Sequence, residues 1–140
     1  MTITPTGNYS VDQYGFLARD AGFGLDAIMG VIEYTDDGTP VVIGVIPRGA
    51  ILLPPQVNVI VAFDDTGTDL LDIGKAGDGD AYALNLDVSS AGQIVTGMIA
   101  TAFDGVPLTA ETEINMQYDG SNSDASAGKA LIYFPFFRTG

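Results

Sequence analysis

Two stretches alternate apolar and polar residues most plainly. In QVNVIVAFD, residues 56–64, Val57, Val59, Val61 and Phe63 fall on one side. In AYALNLDV, residues 81–88, Tyr82, Leu84, Leu86 and Val88 do the same. A period of two over more than six residues predicts a strand with one face in a core. Between them, DDTGTDLLDIGKAGDGD is too acidic and glycine-rich to be buried whole, and it reads as loop, a short strand over Leu70–Ile73, and loop again.

The other elements follow the same logic. Residues 1–24 show no sustained period and read as an irregular lead-in or arm carrying Tyr9, Tyr14, Phe16 and Phe23, with weak support for a short helix over Val11–Asp20. The β domain then spans 25–140. Leu25–Tyr34 predicts the first strand, with Ile28, Ile32 and Tyr34 on one side and Met29 and Val31 on the other. Asp36-Asp37-Gly38 is a turn, and VVIGVI (Val41–Ile46) is the next strand, which makes an antiparallel hairpin with the first the natural pairing. Pro47-Arg48-Gly49 predicts a tight turn, and Pro54-Pro55 stops any ladder. Ser89–Gly92 is a turn. Ile94–Ala102 fits either a short strand or a brief helical piece, with Val95, Thr96 and Gly97 favouring strand.

Glu111–Tyr118 is the clearest half-buried strand: Ile114, Met116 and Tyr118 alternate with Glu113, Asn115 and Gln117. Asp119–Gly128 reads as a polar hairpin loop. KALIYFPFF then places Ala130, Ile132, Phe134 and Phe136 on one face, and Leu131, Tyr133 and Phe137 on the other. A strand apolar on both faces is covered twice, and Pro135 predicts that it is an edge or bulged strand buried against another subunit. With no long amphipathic helix and about seven or eight short strands, the chain is expected to be an all-β, single-domain β-sandwich, jelly-roll-like, with an irregular N-terminal arm.

Composition narrows the function more than the fold. Five basic residues face eighteen acidic ones, for a net charge of -13. The basic residues, Arg19, Arg48, Lys75, Lys129 and Arg138, are scattered, so no cationic footprint for nucleic acid or an anionic membrane is expected. MTITPTGNYS lacks the basic and apolar regions of a secretory signal, and the longest apolar run, Val41–Pro47, is too short to span a bilayer. There is no Cys and no His. That removes disulfides, Cys/His zinc sites and every Cys- or His-based dyad or triad.

Carboxylates are therefore the remaining candidate chemistry. Asp64, Asp65, Asp69 and Asp72, followed by Asp78 and Asp80, could supply oxygens to a structural Ca²⁺ ion. The spacing does not match an EF-hand, and Lys75 opposes a cation. The competing reading is turn residues whose carboxylates cap backbone N–H groups. The same two readings apply to Asp119–Asp124. Carboxylate pairs at roughly 5–9.5 Å would suit glycoside hydrolysis, but with fifteen Asp residues some pair reaches that distance by chance. Two of the three Glu residues, Glu111 and Glu113, flank a water-facing position, so a hydrolase is not expected. Gly77-Asp78-Gly79-Asp80 is a turn without the strand–helix context of a phosphate loop. Carbohydrate binding by loops of a rigid sandwich stays open.

The run over residues 41–83 resembles small virion proteins of tailed bacteriophages, in the pieces Ile46-Pro47-Arg48-Gly49-Ala50, Ala62-Phe63, Gly67–Gly74 and Gly77–Tyr82. Ile114–Gly120 and Ala127–Phe134 fit the same style, so the resemblance covers roughly 41–134. It implies a capsid decoration or cement protein, or a tail or fibre accessory, assembled in the host cytoplasm and placed on the capsid surface. The implied partners are a major capsid protein or another virion protein and further copies of the chain, as in a trimer. Tyr9, Tyr14, Phe16, Phe23, Tyr133 and Phe137 are the expected interface aromatics, because uncovered aromatic faces are costly and interfaces favour them.

Overall fold

A computed structural model describes residues 23–94 and 96–139 as two antiparallel sheets packed face to face. The expected helix over 11–20 and the aromatics Tyr9, Tyr14 and Phe16 lie outside these residues. Nine strands are present among them: β1 (Phe23–Glu33), β2 (Val41–Ile46), β3 (Ile51–Leu52), β4 (Gln56–Val61), β5 (Asp69–Lys75), β6 (Asp78–Asp87), β7 (Gly92–Ile94), β8 (Thr112–Gly120) and β9 (Lys129–Thr139). The first sheet runs β1-β9-β4-β7, with β3 also paired to β9; the second runs β2-β8-β5-β6. The fold is thus an all-β two-sheet sandwich of jelly-roll-like architecture, as expected.

The core is built by the period-2 residues of both sheets. Val57, Val59, Ile132, Phe134 and Ile32 of the first sheet meet Leu71, Ile73, Ile114, Met116 and Tyr118 of the second, all with at most 3% of their surface exposed. Each fully buried side chain of this size stabilises the fold by about 1.5–3 kcal/mol. The Phe63 and Tyr118 rings lie 4.5 Å apart, and Tyr82 meets Phe134 edge-on at 5.3 Å.

Several local expectations are corrected by the pairing. β1 and β2 do not form a hairpin; β1 pairs with β9, and β2 with β8 in the opposite sheet. The Asp36–Gly38 turn therefore carries the chain across the sandwich. Asp119–Gly128 is likewise a crossover from β8 to β9 between sheets, not a hairpin loop. Only β5 and β6 are sequential neighbours within one sheet, with Lys75 opposite Asp78.

Strand β9 is central rather than an edge. Pro135 is tolerated there because its carbonyl accepts the Leu53 N–H at 3.0 Å. A strand residue's C=O and N point to the same side, so the missing N–H faces the break that Pro54-Pro55 makes between β3 and β4.

Two predicted faces slip at bulges. On β6, Leu71 pairs with Leu86 but Ile73 pairs with Ala83, so β6 holds one extra residue, and Asn85 adopts φ 57. Leu84 consequently turns outward and Ala83 inward. On β4 the register shifts between Val59 and Val61, which leaves Val61 exposed while Phe63 returns to the core. The ambiguous stretch after β7 is mostly irregular, with a bridge from Met98 to Ala83 and a 3-10 turn over Ala100–Ala102. No helix among the described residues is long and apolar enough to cross a membrane.

Candidate functional site

The outer face of the first sheet is apolar along two adjacent strands. The register places Leu25 opposite Phe137, Met29 opposite Tyr133 and Val31 opposite Leu131, all pointing away from the core, with Glu33 opposite Lys129 closing the ladder. Among the described residues these side chains stay exposed: Met29 is 69% exposed, Leu25 58%, Phe137 44% and Tyr133 41%. Isolated exposed apolar residues are ordinary, but a contiguous row marks an interaction surface. The expected interface residues Tyr133 and Phe137 lie in this row. Phe23 opens β1, opposite Thr139, at one end of it. The sequence reading missed Leu25, Met29 and Val31. Their signal was available in the alternation opposite Ile28 and Ile32, but only the pairing with β9 joins the two rows.

Part of the face is hollowed. A groove of about 490 Å³ is lined by Met29, Gly30, Val31, Leu131, Ile132 and Tyr133, together with Gln56 and Asn58 of the next strand, β4. Among the described residues, no charged side chain lines it.

The acidic loops sit elsewhere, where two crossovers run side by side. The Ser126 N–H (2.7 Å) and hydroxyl (2.8 Å) and the Ala127 N–H (3.0 Å) donate to Asp64. The N–H groups of Gly67 (2.7 Å), Asp124 (3.0 Å) and Asn122 (3.1 Å) donate to Asp65. Thr66 donates from its N–H and its hydroxyl to Asp124. Asp69 accepts from the Tyr118 hydroxyl at 2.6 Å and from the Asp65 N–H at 3.1 Å. Asp72 accepts the Asn85 N–H of the β6 bulge at 2.7 Å. Each proposed cation ligand thus holds a backbone amide, which is the capping arrangement weighed against the ion. Among the described residues, no group of three or more His, Cys, Asp or Glu side chains is arranged to hold a metal ion.

Those hydrogen bonds shift the carboxyls. The Ser126 amide and hydroxyl hold Asp64 below the usual carboxylate range. Burial pushes Asp65 upward, but the amides of Asp124, Gly67 and Asn122 outweigh it and the net shift is also downward. A carboxyl depressed by folding contributes stability that is present above its ordinary value of 3.8 and is lost as pH falls through the lower folded value. The stability of the wild type is therefore expected to fall below about pH 4. In urea titrations at pH 7 and pH 3, Asp64→Asn and Asp65→Asn should lose less between the two pH values than the wild type does. Equal losses would show that the amide hydrogen bonds to Asp64 and Asp65 do not carry the pH dependence.

A second hollow of about 610 Å³ lies beside Tyr82, with Asp78, Asp80 and Asp104 on its rim and Lys75 among them. Hydrogen bonding to Asp78, burial and the charges of Asp78 and Asp72 raise the Asp80 carboxyl above its ordinary value. A raised carboxyl disfavours the fold once both states are ionised. Asp80→Asn is accordingly expected to raise the melting temperature at pH 7 and to have little effect at pH 3. A lowered melting temperature at pH 7 would contradict the repulsion. Glu111 and Glu113 are both exposed, on or beside the outer face of β8, away from this rim.

The sandwich has solved counterparts. A chain of the acidic stable capsid structure of Helicobacter pylori bacteriophage KHP30 superposes with a TM-score of 0.62 at 14% identity, over 83% of this chain and 89% of that one. Its fold is shared with chains of phage capsids. A chain of the cyanophage Pam1 capsid asymmetric unit matches with a TM-score of 0.56 at 17% identity, over 95% of this chain and 94% of that one. A chain of the capsid of Ralstonia phage GP4 matches with a TM-score of 0.57 at 17% identity, over 82% and 85%. Because both chains are covered almost whole, the matched chains are of similar length to this one. No family model matches the sequence, and no curated protein does. The chain is a small β-rich protein structurally similar to these phage capsid chains, and at such identities the likeness is one of fold.

Proposed function

We propose that this protein is a structural subunit of a bacteriophage virion, a decoration or cement protein on the head that works through protein–protein contacts. The observation that carries the reading is the uncovered apolar ladder on β1 and β9. A single core does not need it, and a virion partner would cover it. The fold shared with phage capsid chains supports the same assignment. The partners are the major capsid protein or another virion protein, together with further copies of the chain. The net charge of -13 keeps the remaining surface soluble and self-repelling, so association is directed to the apolar face.

Contacts on such a face raise the stability of the assembled state by mass action. The test is a binding assay on purified empty heads, with the melting temperature of the shell as a second readout. Wild-type protein should saturate a fixed number of sites and raise the shell's melting temperature. Leu131→Glu with Tyr133→Glu should bind at least roughly tenfold more weakly, the scale of losing an interface anchor. Circular dichroism should confirm that the variant stays folded. Full binding by the folded variant, or none by the wild type, would refute the reading.

A further inference from the structure

The hollow beside Tyr82 differs from the acidic loops in what its polar groups are left to do. Asp64, Asp65, Asp69 and Asp72 each accept a backbone N–H. Asp80 meets Asp78 instead: hydrogen bonding to it, burial and the charges of Asp78 and Asp72 raise the Asp80 carboxyl. Asp104 adds a third carboxylate to the rim. Lys75 lies near them, but the ion pair formed among the described residues is Arg138 with Asp26, so Lys75 pairs with none of the three.

Tyr82 is the observation that points to a ligand. It is 4% exposed, and a buried phenol normally finds a hydrogen-bond partner. The Tyr118 hydroxyl does, at Asp69. The Tyr82 hydroxyl has none among the described residues, where the sealed polar atom without a partner is the Arg138 Nε. The phenol oxygen is therefore open, and the opening beside it is the hollow that Tyr82 lines. Burial and, after it, the charge of Asp78 raise the phenol above its ordinary 10.0, so the hydroxyl sits at the acidic end.

A ligand for this hollow has to bring positive charge, several donors and an apolar stem. Leu52, Ile99 and Leu108 line its walls, and about 610 Å³ is far more than a bare ion fills. Among the described residues, no group of three or more His, Cys, Asp or Glu is arranged to hold a metal ion. A guanidinium fits each point. Its donors lie in a fixed plane and reach separate acceptors, here the phenol oxygen and the carboxylates. It is weakly hydrated, so apolar walls cost it little, and its methylene stem packs along them. A copy of this chain is a poor source. Its arginines are Arg19, Arg48 and Arg138, Arg138 is already paired with Asp26, and a net charge of -13 sets copies against each other. The same charge draws a basic partner.

We propose that this hollow is a socket for an arginine side chain presented by a different protein, held by the Tyr82 hydroxyl and the carboxylates of Asp78, Asp80 and Asp104. It is a contact separate from the apolar face on β1 and β9 and does not depend on it.

The test titrates the full-length chain, carrying ¹³C-labelled tyrosine rings, with N-acetyl-arginine amide, whose one charge is the guanidinium. The Tyr82 ring signal, assigned by its loss in Tyr82→Phe, should shift saturably. N-acetyl-citrulline amide has the same shape without the charge and should bind at least roughly tenfold more weakly, the scale of a hydrogen bond to a charged group. Asp80→Asn with Asp104→Asn should weaken arginine binding by a similar factor. Asp80→Asn is expected to raise the melting temperature, so that loss cannot be put down to unfolding. Free arginine carries an α-carboxylate that a peptide-borne side chain lacks, and it should bind more weakly than the amide. No saturable shift of Tyr82, equal binding of the arginine and citrulline amides, or undiminished binding by the folded double variant overturns the proposal. Tighter binding of free arginine than of the amide overturns the protein source, and displacement of the amide by an equal concentration of calcium chloride overturns the guanidinium. Leu131→Glu with Tyr133→Glu should leave the titration unchanged. A protein that binds the amide but no head overturns the virion reading alone, and one that binds heads but not the amide overturns the socket alone.

Discussion

Phe134→Ala is expected to cost about 3–5 kcal/mol of folding stability, read from the midpoint and slope of urea denaturation. Phe134 is fully buried on the inner face of β9 and meets Tyr82 edge-on at 5.3 Å and Phe103 at 6.2 Å. Its strand is central, so hydrogen-bonded neighbours on both sides resist collapse into the space left behind. The loss would be a large part of the 5–15 kcal/mol typical of a domain. Phe137→Ala, three residues on and facing outward, is the control, and it should cost under about 1 kcal/mol. If Phe137→Ala proved the more damaging, the register of β9 would be wrong, and with it the placement of the apolar face.

Tyr118→Phe should cost about 1.5–3 kcal/mol, the range for a hydrogen bond to a charged group. The Tyr118 hydroxyl is buried and donates to Asp69 at 2.6 Å, and Asp69 is 4% exposed. Removing the hydroxyl leaves the carboxylate with the Asp65 N–H at 3.1 Å as its other donor. Asp69→Asn keeps the volume, and the double variant should cost clearly less than the sum of the two single ones. Additive losses would mean that the pair is not coupled. Burial, then the bond to Asp69, pushes the phenol far above its ordinary 10.0. The neutral phenol is the form the fold holds, so its contribution is complete below pH 10 and falls as pH rises further and the unfolded state ionises. Stability of Tyr118→Phe should therefore change less than that of the wild type between pH 9 and pH 11.

The acidic loop shows how far local reading can go. Asp64, Asp65, Asp69 and Asp72 were open to two uses, ion ligation or amide capping, because an Asp side chain offers the same oxygens to either. The amides that occupy Asp64 and Asp65 come from residues 122–127, 57 to 63 positions away, apart from that of Gly67. No spacing rule within the loop could reveal them. A longer separation, 100 residues from Val31 to Leu131, divides the two halves of the apolar face: Met29 and Val31 become one surface with Leu131 and Tyr133 only through the β1–β9 register.

Strand identity, by contrast, was local. The alternation in residues 112–118 and 129–136 followed directly from a backbone that turns successive side chains to opposite faces. It placed Ile114, Met116 and Tyr118 in the core, and grouped Ile132 with Phe134 on one face, before any pairing was known. The same rule failed at Leu84 and Val61, because a bulge adds a residue on one strand and depends on the partner's register.

Composition and period by themselves determined that this is a Cys- and His-free, strongly acidic all-β chain with one face of each main strand buried. Which strands are neighbours, that β9 is central despite Pro135, and that two apolar rows form one grooved face were decided only in the tertiary structure. The reason is that side-chain alternation is written residue by residue, whereas pairing is a bargain between segments that the chain brings together from a hundred residues apart.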